Sequence, residues 1–170
     1  MTDTGTQSST DTSTDTSTDT STDTSTDTST GTSAPTLVWP TLRARDARGL
    51  VRFLVEAFGF EEAVLVADGD EVAHAELHWP AGGGVMIGSA GGGDDGTRGP
   101  DDPWPLRPGT AGTYVVCDDP DAVHARAVAA GAVVVAAPHD TDYGSRETAV
   151  RDPEGNHWSF GTYRGEPRRA

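Results

Sequence analysis

His74, Glu76 and His78 occupy every second position of the segment Glu71–Trp79, interleaved with Ala73, Ala75, Leu77 and Trp79. On an extended strand this alternation sends all three to one face. Imidazole and carboxylate groups suit a divalent metal, and they equally suit hydrogen bonding to an organic ligand. Spacing favours the second use. Same-face neighbours on a strand stand nearly ~7 Å apart while metal bonds are about 2 Å, so three consecutive ones rarely converge on one ion. His74 and Glu76 are therefore read as the polar wall of a ligand groove, against the plainer alternative of an exposed polar sheet face.

Further along, Tyr143 and Arg146 flank Gly144 at the entrance to a strand. There a guanidinium could bind a carboxylate or phosphate and a phenol close over it, against the slightly favoured plainer alternative of a surface arginine beside a turn tyrosine. Trp104, held between Pro103 and Pro105 in a long connection, is a candidate lid residue. His157 and Ser159 share a strand face, but no acid orients that histidine, so no nucleophilic pair and no catalytic residue is assigned. His124 and His139, on a helix surface and in a loop, receive no role.

The elements that must position these groups are legible from local signals. Val38–Arg45 alternates, with Val38, Pro40, Leu42 and Ala44 on one face and Trp39, Thr41 and Arg43 on the other. Asp46 is an N-cap for a helix carrying Leu50, Phe53, Leu54, Ala57 and Phe58, and Gly59 stops it. Strands are predicted at Ala63–Ala67, Glu71–Trp79 and Val85–Gly88. After a Gly/Pro/Asp-rich connection the order returns. A strand Thr113–Cys117 leads to a helix capped by Asp119, with Pro120 at its first position, ending at Gly131. Strands follow near Ala132–Ala136, Glu147–Arg151 and His157–Tyr163.

The two cap aspartates lie 73 positions apart and the two stop glycines 72, which marks a duplicated module. The predicted fold class is α+β, two tandem βαβββ modules forming a curved mixed sheet around a central groove. Each helix covers one face of its own half-sheet, and the opposite faces are expected to enclose the ligand. Module one spans 36–89, a linker 90–109 and module two 110–163, within a domain 34–165 followed by a C-terminal tail 166–170.

Residues 1–33 form a Thr/Ser/Asp tail whose Asp-Thr-Ser-Thr repeat has no apolar side chain to offset the entropy of ordering, so it is expected to be disordered. Subtracting the six aspartates of this tail from the formal net charge of -15 leaves about -9 on the remainder, which makes nucleic acid a poor candidate partner. The single cysteine, Cys117, cannot form an internal disulfide and lies in an apolar run, consistent with a cytoplasmic location. No segment approaches the roughly 20 apolar residues of a membrane span, so no membrane partner is expected.

With these elements in place, the chain resembles the vicinal oxygen chelate superfamily, which includes glyoxalase I, bleomycin-resistance proteins and extradiol dioxygenases. The resemblance runs from Thr36 to Tyr163. It is carried by Pro40-Thr-Leu-Arg-Ala-Arg-Asp46 running into Phe53-Leu-Val-Glu-Ala-Phe-Gly-Phe60, by Asp118-Asp-Pro-Asp121 with Ala129-Ala-Gly131, and by Asp152-Pro-Glu-Gly-Asn156 before His157-Trp-Ser-Phe-Gly-Thr-Tyr163. The Asp-Pro-Glu-Gly-Asn segment reads as a hairpin turn without chemistry of its own.

The resemblance implies metal ligands, mostly His, Gln or Glu, on the first and last strand of each module. Here the first-strand positions fall on Trp39 and Gly112, and the last strand of module two offers Ser159. The matching strand of module one, Val85-Met-Ile-Gly88, has no carboxylate. No metal site and no cofactor are therefore expected.

Trp39 in a vacated ligand position would stack on a planar or aliphatic ligand, with Thr41 beside it. The ligand-binding set is thus Trp39, Thr41, His74, Glu76, Trp104, Tyr143, Arg146 and Ser159. The leading reading is a metal-free protein binding or sequestering a small, partly apolar molecule, as bleomycin-resistance proteins do. The alternative is a glyoxalase-like lyase, isomerase or dioxygenase whose divalent metal uses relocated ligands such as His74, Glu76 and His78. A third is an interaction module with a filled groove. The resemblance also implies a possible homodimer.

Overall fold

A computed structural model of the chain describes residues 38–102 and 105–167. The Thr/Ser/Asp repeat and Trp104 lie outside the described residues, so the expectations placed on them are not addressed by the fold.

Module one consists of β1 (Thr41–Ala44), α1 (Ala47–Phe53) continued by a π-helical turn (Leu54–Phe58), β2 (Glu61–Asp68), β3 (Glu71–His78) and β4 (Gly84–Ser89). Module two repeats it as β5 (Gly112–Val116), α2 (Pro120–Ala129), β6 (Val133–Asp140), β7 (Arg146–Arg151) and β8 (His157–Gly161). Strand order is β1-β4-β3-β2 in one four-stranded sheet and β5-β8-β7-β6 in the other. In each sheet the first strand pairs parallel with the last, because a helix intervenes, and the remaining pairs are antiparallel hairpins. The duplication inferred from spaced caps is thus a duplication of topology.

The caps form as local chemistry dictates. Asp46 Oδ1 accepts from Gly49 N at 2.7 Å, and Asp119 Oδ1 from Ala122 N at 2.9 Å. Each helix has a left-handed glycine beyond its end, Gly59 at φ 97° and Gly131 at φ 94°. The π-helical ending of the first helix was not legible. It arises where Gly59 N donates to both Leu54 O and Val55 O, at 3.1 and 3.2 Å, widening the last turn.

Strand faces divide as alternation requires. Leu42, Ala44, Leu77, Val85 and Ile87 of the first sheet and Val115, Val150, Trp158 and Phe160 of the second are buried towards the helices. These two helix-bearing faces share a single core. Phe58, at the end of the π-helical turn, meets Phe53, Trp158 and Phe160 with ring centroids 5.1, 5.3 and 4.8 Å away, and Phe60 meets Trp158 at 5.7 Å. The aromatic neighbours of Trp158 and Phe160 belong to module one. Arg126 of α2 adds a hydrogen bond to Phe58 O at 3.2 Å.

The turn Asp152-Pro-Glu-Gly-Asn is more than a reversal of the chain. Asp152 is 3% exposed, and its carboxylate accepts four hydrogen bonds, each of 2.9 Å, from Glu154 N, Asn156 N, Asn156 Nδ2 and Trp158 Nε1. Asn156 Oδ1 accepts from Ala111 N at 3.2 Å, and Glu154 Oε1 from Asp46 N at 2.8 Å. One hairpin therefore organises its own strands, the start of β5 and the entry to α1. Among the described residues no helix is long and apolar enough to cross a membrane.

Candidate binding site

The open face of the first sheet carries the polar wall that alternation predicts. His74 Nε2 lies 2.8 Å from Glu76 Oε1, with both side chains partly exposed. Thr41 is opposite Met86 of β4, which in turn is opposite Glu76 of β3. Trp39 does not stand free in this row. Its indole lies across Gly84, where an added Cβ would come within 2.5 Å of the ring, and it meets His78 edge-on at 5.2 Å. His78 is thereby committed to Trp39, while His74 is committed to Glu76. Among the described residues, no group of three His, Cys, Asp or Glu side chains is arranged to hold a metal ion.

On the second sheet, Ser159 Oγ lies 3.1 Å from His157 Nε2, and Ser159 is opposite Tyr114 of β5. Tyr114 crosses Gly161 of β8 to donate to Glu147 Oε1 of β7 at 3.1 Å, and a Cβ at Gly161 would stand 2.2 Å from the phenol oxygen. Tyr143 donates to the same Oε1 at 2.9 Å. Burial first, then Glu147, pushes the Tyr114 phenol above its ordinary pKa, and the hydrogen bond to Glu147 does the same to Tyr143. Both phenols therefore keep their protons at neutral pH.

The Arg146 guanidinium, expected from sequence to meet a ligand carboxylate or phosphate, is engaged by the protein's own carboxylates. Nε and Nη2 each donate to Asp121 at 2.7 Å, and Nη1 donates to Asp140 at 3.2 Å. This bidentate pairing lowers the Asp121 pKa and holds the guanidinium charge more firmly. Arg146 clamps β7 to the first turn of α2. His124, given no role from sequence, bonds through Nδ1 to Thr148 Oγ1 at 2.8 Å and ties the same helix to the same strand.

Between the modules runs a cleft of about 380 Å³ whose walls include Pro40, Phe60, Trp79 and Val85 from module one and Tyr114 and Val116 from module two. Trp79 Nε1 donates to Val116 O at 2.8 Å and braces the floor. None of the nominated residues that are described lines this cleft. Thr41, His74, Glu76 and Ser159 lie on the open sheet faces, because the modules dock through their helix-bearing faces, whereas Arg146 turns towards α2 and Tyr143 sits in the turn before β7. Cys117 sits beneath the seam, 8% exposed, with burial pushing its thiol up to about 11. It is a packed thiol, not a nucleophile at neutral pH.

The model of the Glyoxalase/Bleomycin resistance protein/Dioxygenase superfamily matches residues 36–160. The chain belongs to this superfamily. Among solved structures it is similar to TioX from Micromonospora sp. ML1, at 30% identity over 73% of this chain and 97% of that one, with a TM-score of 0.54. A superfamily member from Sphaerobacter thermophilus DSM 20745 shares 21% identity over 75% of this chain and 96% of its own, with a TM-score of 0.54. A glyoxalase/bleomycin resistance protein from Streptomyces sp. CB03234 shares 22% over 71% and 94%, with a TM-score of 0.51. No curated protein matches the chain.

The glyoxalase superfamily contains both enzymes and non-enzymes, so the donor chemistry of this member has to be tested directly. At the positions where metal-using relatives carry ligands, Trp39 presents an indole packed on Gly84 and His78, Gly112 presents no side chain, and Ser159 presents a hydroxyl beside His157. The strand β4 contributes Val85, Met86, Ile87 and Gly88. This set lacks the imidazole, amide and carboxylate donors that a divalent metal requires. The residues present do not fit the metal.

Proposed function

We propose that this glyoxalase-superfamily protein binds or sequesters a small, partly apolar molecule without a metal, in the cleft between its modules. The replacement of every expected metal-ligand position by indole, bare backbone, hydroxyl or aliphatic side chain is the observation that carries this reading. The cleft supports it: aromatic and aliphatic walls supply contact area, while exposed main-chain groups of β5 and of the turn 81–84 supply polar contacts. The alternative enzyme with His74, Glu76 and His78 as relocated ligands gains no support, since two of these side chains bond each other and the third packs on Trp39.

A cytoplasmic protein and a homodimer belong to the same proposal. Val66 on the edge strand β2 and Val133 on the edge strand β6 are 54% and 62% exposed, which offers apolar surface that a second copy would cover.

The test is retention of small molecules by the purified chain from a mixed metabolite extract, with and without EDTA, read by mass spectrometry. The expected result is one retained compound class whose recovery is unchanged by EDTA and reduced several-fold by Val116→Trp, which fills the cleft. Retention that EDTA abolishes would overturn the proposal.

A further inference from the structure

The chain has three tyrosines, and all of them line one cavity of about 660 Å³ beside the open face of the second sheet, together with Glu147 and Glu166. Tyr114 comes from β5, Tyr143 from the turn before β7, and Tyr163 from the segment after β8. The rings of Tyr143 and Tyr163 stand 5.9 Å apart at 72°, forming two walls of a corner, and Tyr114 lies across Gly161 as a third wall. Only a glycine at 161 allows that crossing.

The hydrogen bonding of this cup is one-sided. The hydroxyl protons of Tyr114 and Tyr143 are both directed at Glu147 Oε1, and that of Tyr163 is directed at Glu166 Oε1 at 3.4 Å. With its phenol protons pointed at its own carboxylates, the cup offers a ligand ring faces and acceptor oxygens but no phenolic donor. Neither glutamate has an ion-pair partner among the described residues. Among the described residues, the neighbouring cations Arg146 and Arg164 are engaged elsewhere, the first with Asp121 and Asp140 and the second with Asp118.

Aromatic faces and unpaired carboxylates attract cations and repel anions. A hydrated inorganic ion would need several oxygens at about 2 Å, whereas Glu147 already spends one oxygen on two phenols. An organic cation gains from ring faces and carboxylate together. The formal net charge of -15 draws such a ligand to the surface at long range.

We propose that this tyrosine and glutamate cup is a binding site for organic cations bearing an alkylated ammonium group. It is separate from the inter-module cleft, sharing only Tyr114 with it, and it stands or falls independently of the function proposed above. The full-length chain, titrated calorimetrically at constant ionic strength, is the material for the test. The probes are choline and 3,3-dimethyl-1-butanol, which replaces the ammonium nitrogen by carbon at nearly unchanged shape.

Choline is expected to bind and the neutral isostere to bind at least about five-fold more weakly. Tyr143→Ala and Glu147→Gln, each checked for intact folding by its melting curve, are expected to weaken choline by roughly three- to ten-fold. Equal affinity for the two probes, absence of choline binding, or choline binding unchanged in both variants would overturn the site. Retention of a metal by the protein would defeat the metal-free reading and leave this cup unaffected.

Discussion

Phe58→Ala is expected to lower the melting temperature by about 10–20 °C. Phe58 is fully buried and touches three other rings, Phe53 from its own helix and Trp158 and Phe160 from the other module. Truncating a buried phenylalanine costs about 3–5 kcal/mol through lost transfer energy and a residual cavity. For a domain of this size each kcal/mol shifts the midpoint by about 3–5 °C. Collapse around the gap is restricted because the four rings are held by elements of two modules, the first helix and β8. Thermal unfolding followed by circular dichroism checks this. A shift below about 4 °C would mean that the modules hold together by other contacts, and the shared-core description would be wrong.

Asp152→Ala comes next, with an expected loss of about 3–5 kcal/mol. The reason is different in kind. Removing this carboxylate strands four donors, at Glu154 N, Asn156 N, Asn156 Nδ2 and Trp158 Nε1, in a site where Asp152 and Asn156 are almost fully buried. A buried donor left without a partner costs about 1–3 kcal/mol, and partial relief by water brings the sum for four below simple addition. Asp152→Asn should recover part of the loss, since its carbonyl oxygen can serve the two backbone amides. Its amide nitrogen would still face Asn156 Nδ2 and Trp158 Nε1, donor against donor. Urea unfolding of the three proteins should rank wild type above Asn above Ala. An alanine variant as stable as wild type would show that the hairpin does not organise the second module.

The same two residues show what the sequence made legible and what it did not. Asp152 was recognised as part of a tight turn because turn chemistry is local: Pro153 and Gly155 announce it within five residues. Its bond to Trp158 and the reach of Glu154 to Asp46 are tertiary, 108 positions apart in the second case, and no local pattern contains them. Helix starts at Asp46 and Asp119 were readable for the same local reason. So were the faces of β1 and β3, because a strand alternates whether or not its partners are known.

The candidate site was less legible. The alternation that puts Gly112 on the open face of β5 also puts Tyr114 there, two residues on. The apolar run that ends at Cys117 masks this alternation in the sequence. An arginine near a strand entrance suits a ligand anchor, and local sequence contains nothing of the internal partners of Arg146. Its actual partners are Asp121, from a helix 25 positions earlier, and Asp140, across a turn. The cleft between the modules depends on how the two helix-bearing faces dock, and that is decided by interlocking rings such as Phe58 and Trp158, not by any single segment. Docking therefore placed Phe60, Trp79, Val85 and Val116 around the cleft and left the polar pair His74 and Glu76 on an outer face.

The central claim is that the positions reserved for metal ligands in related proteins no longer serve a metal here. Equilibrium dialysis of the full chain against Ni²⁺, Zn²⁺ and Mn²⁺, followed by metal analysis of the recovered protein, tests it most directly. Substoichiometric metal, below about 0.1 equivalents and unchanged in a His74→Ala/His78→Ala variant, is the predicted result. One tightly held equivalent of any of the three, lost in that variant, would contradict the account.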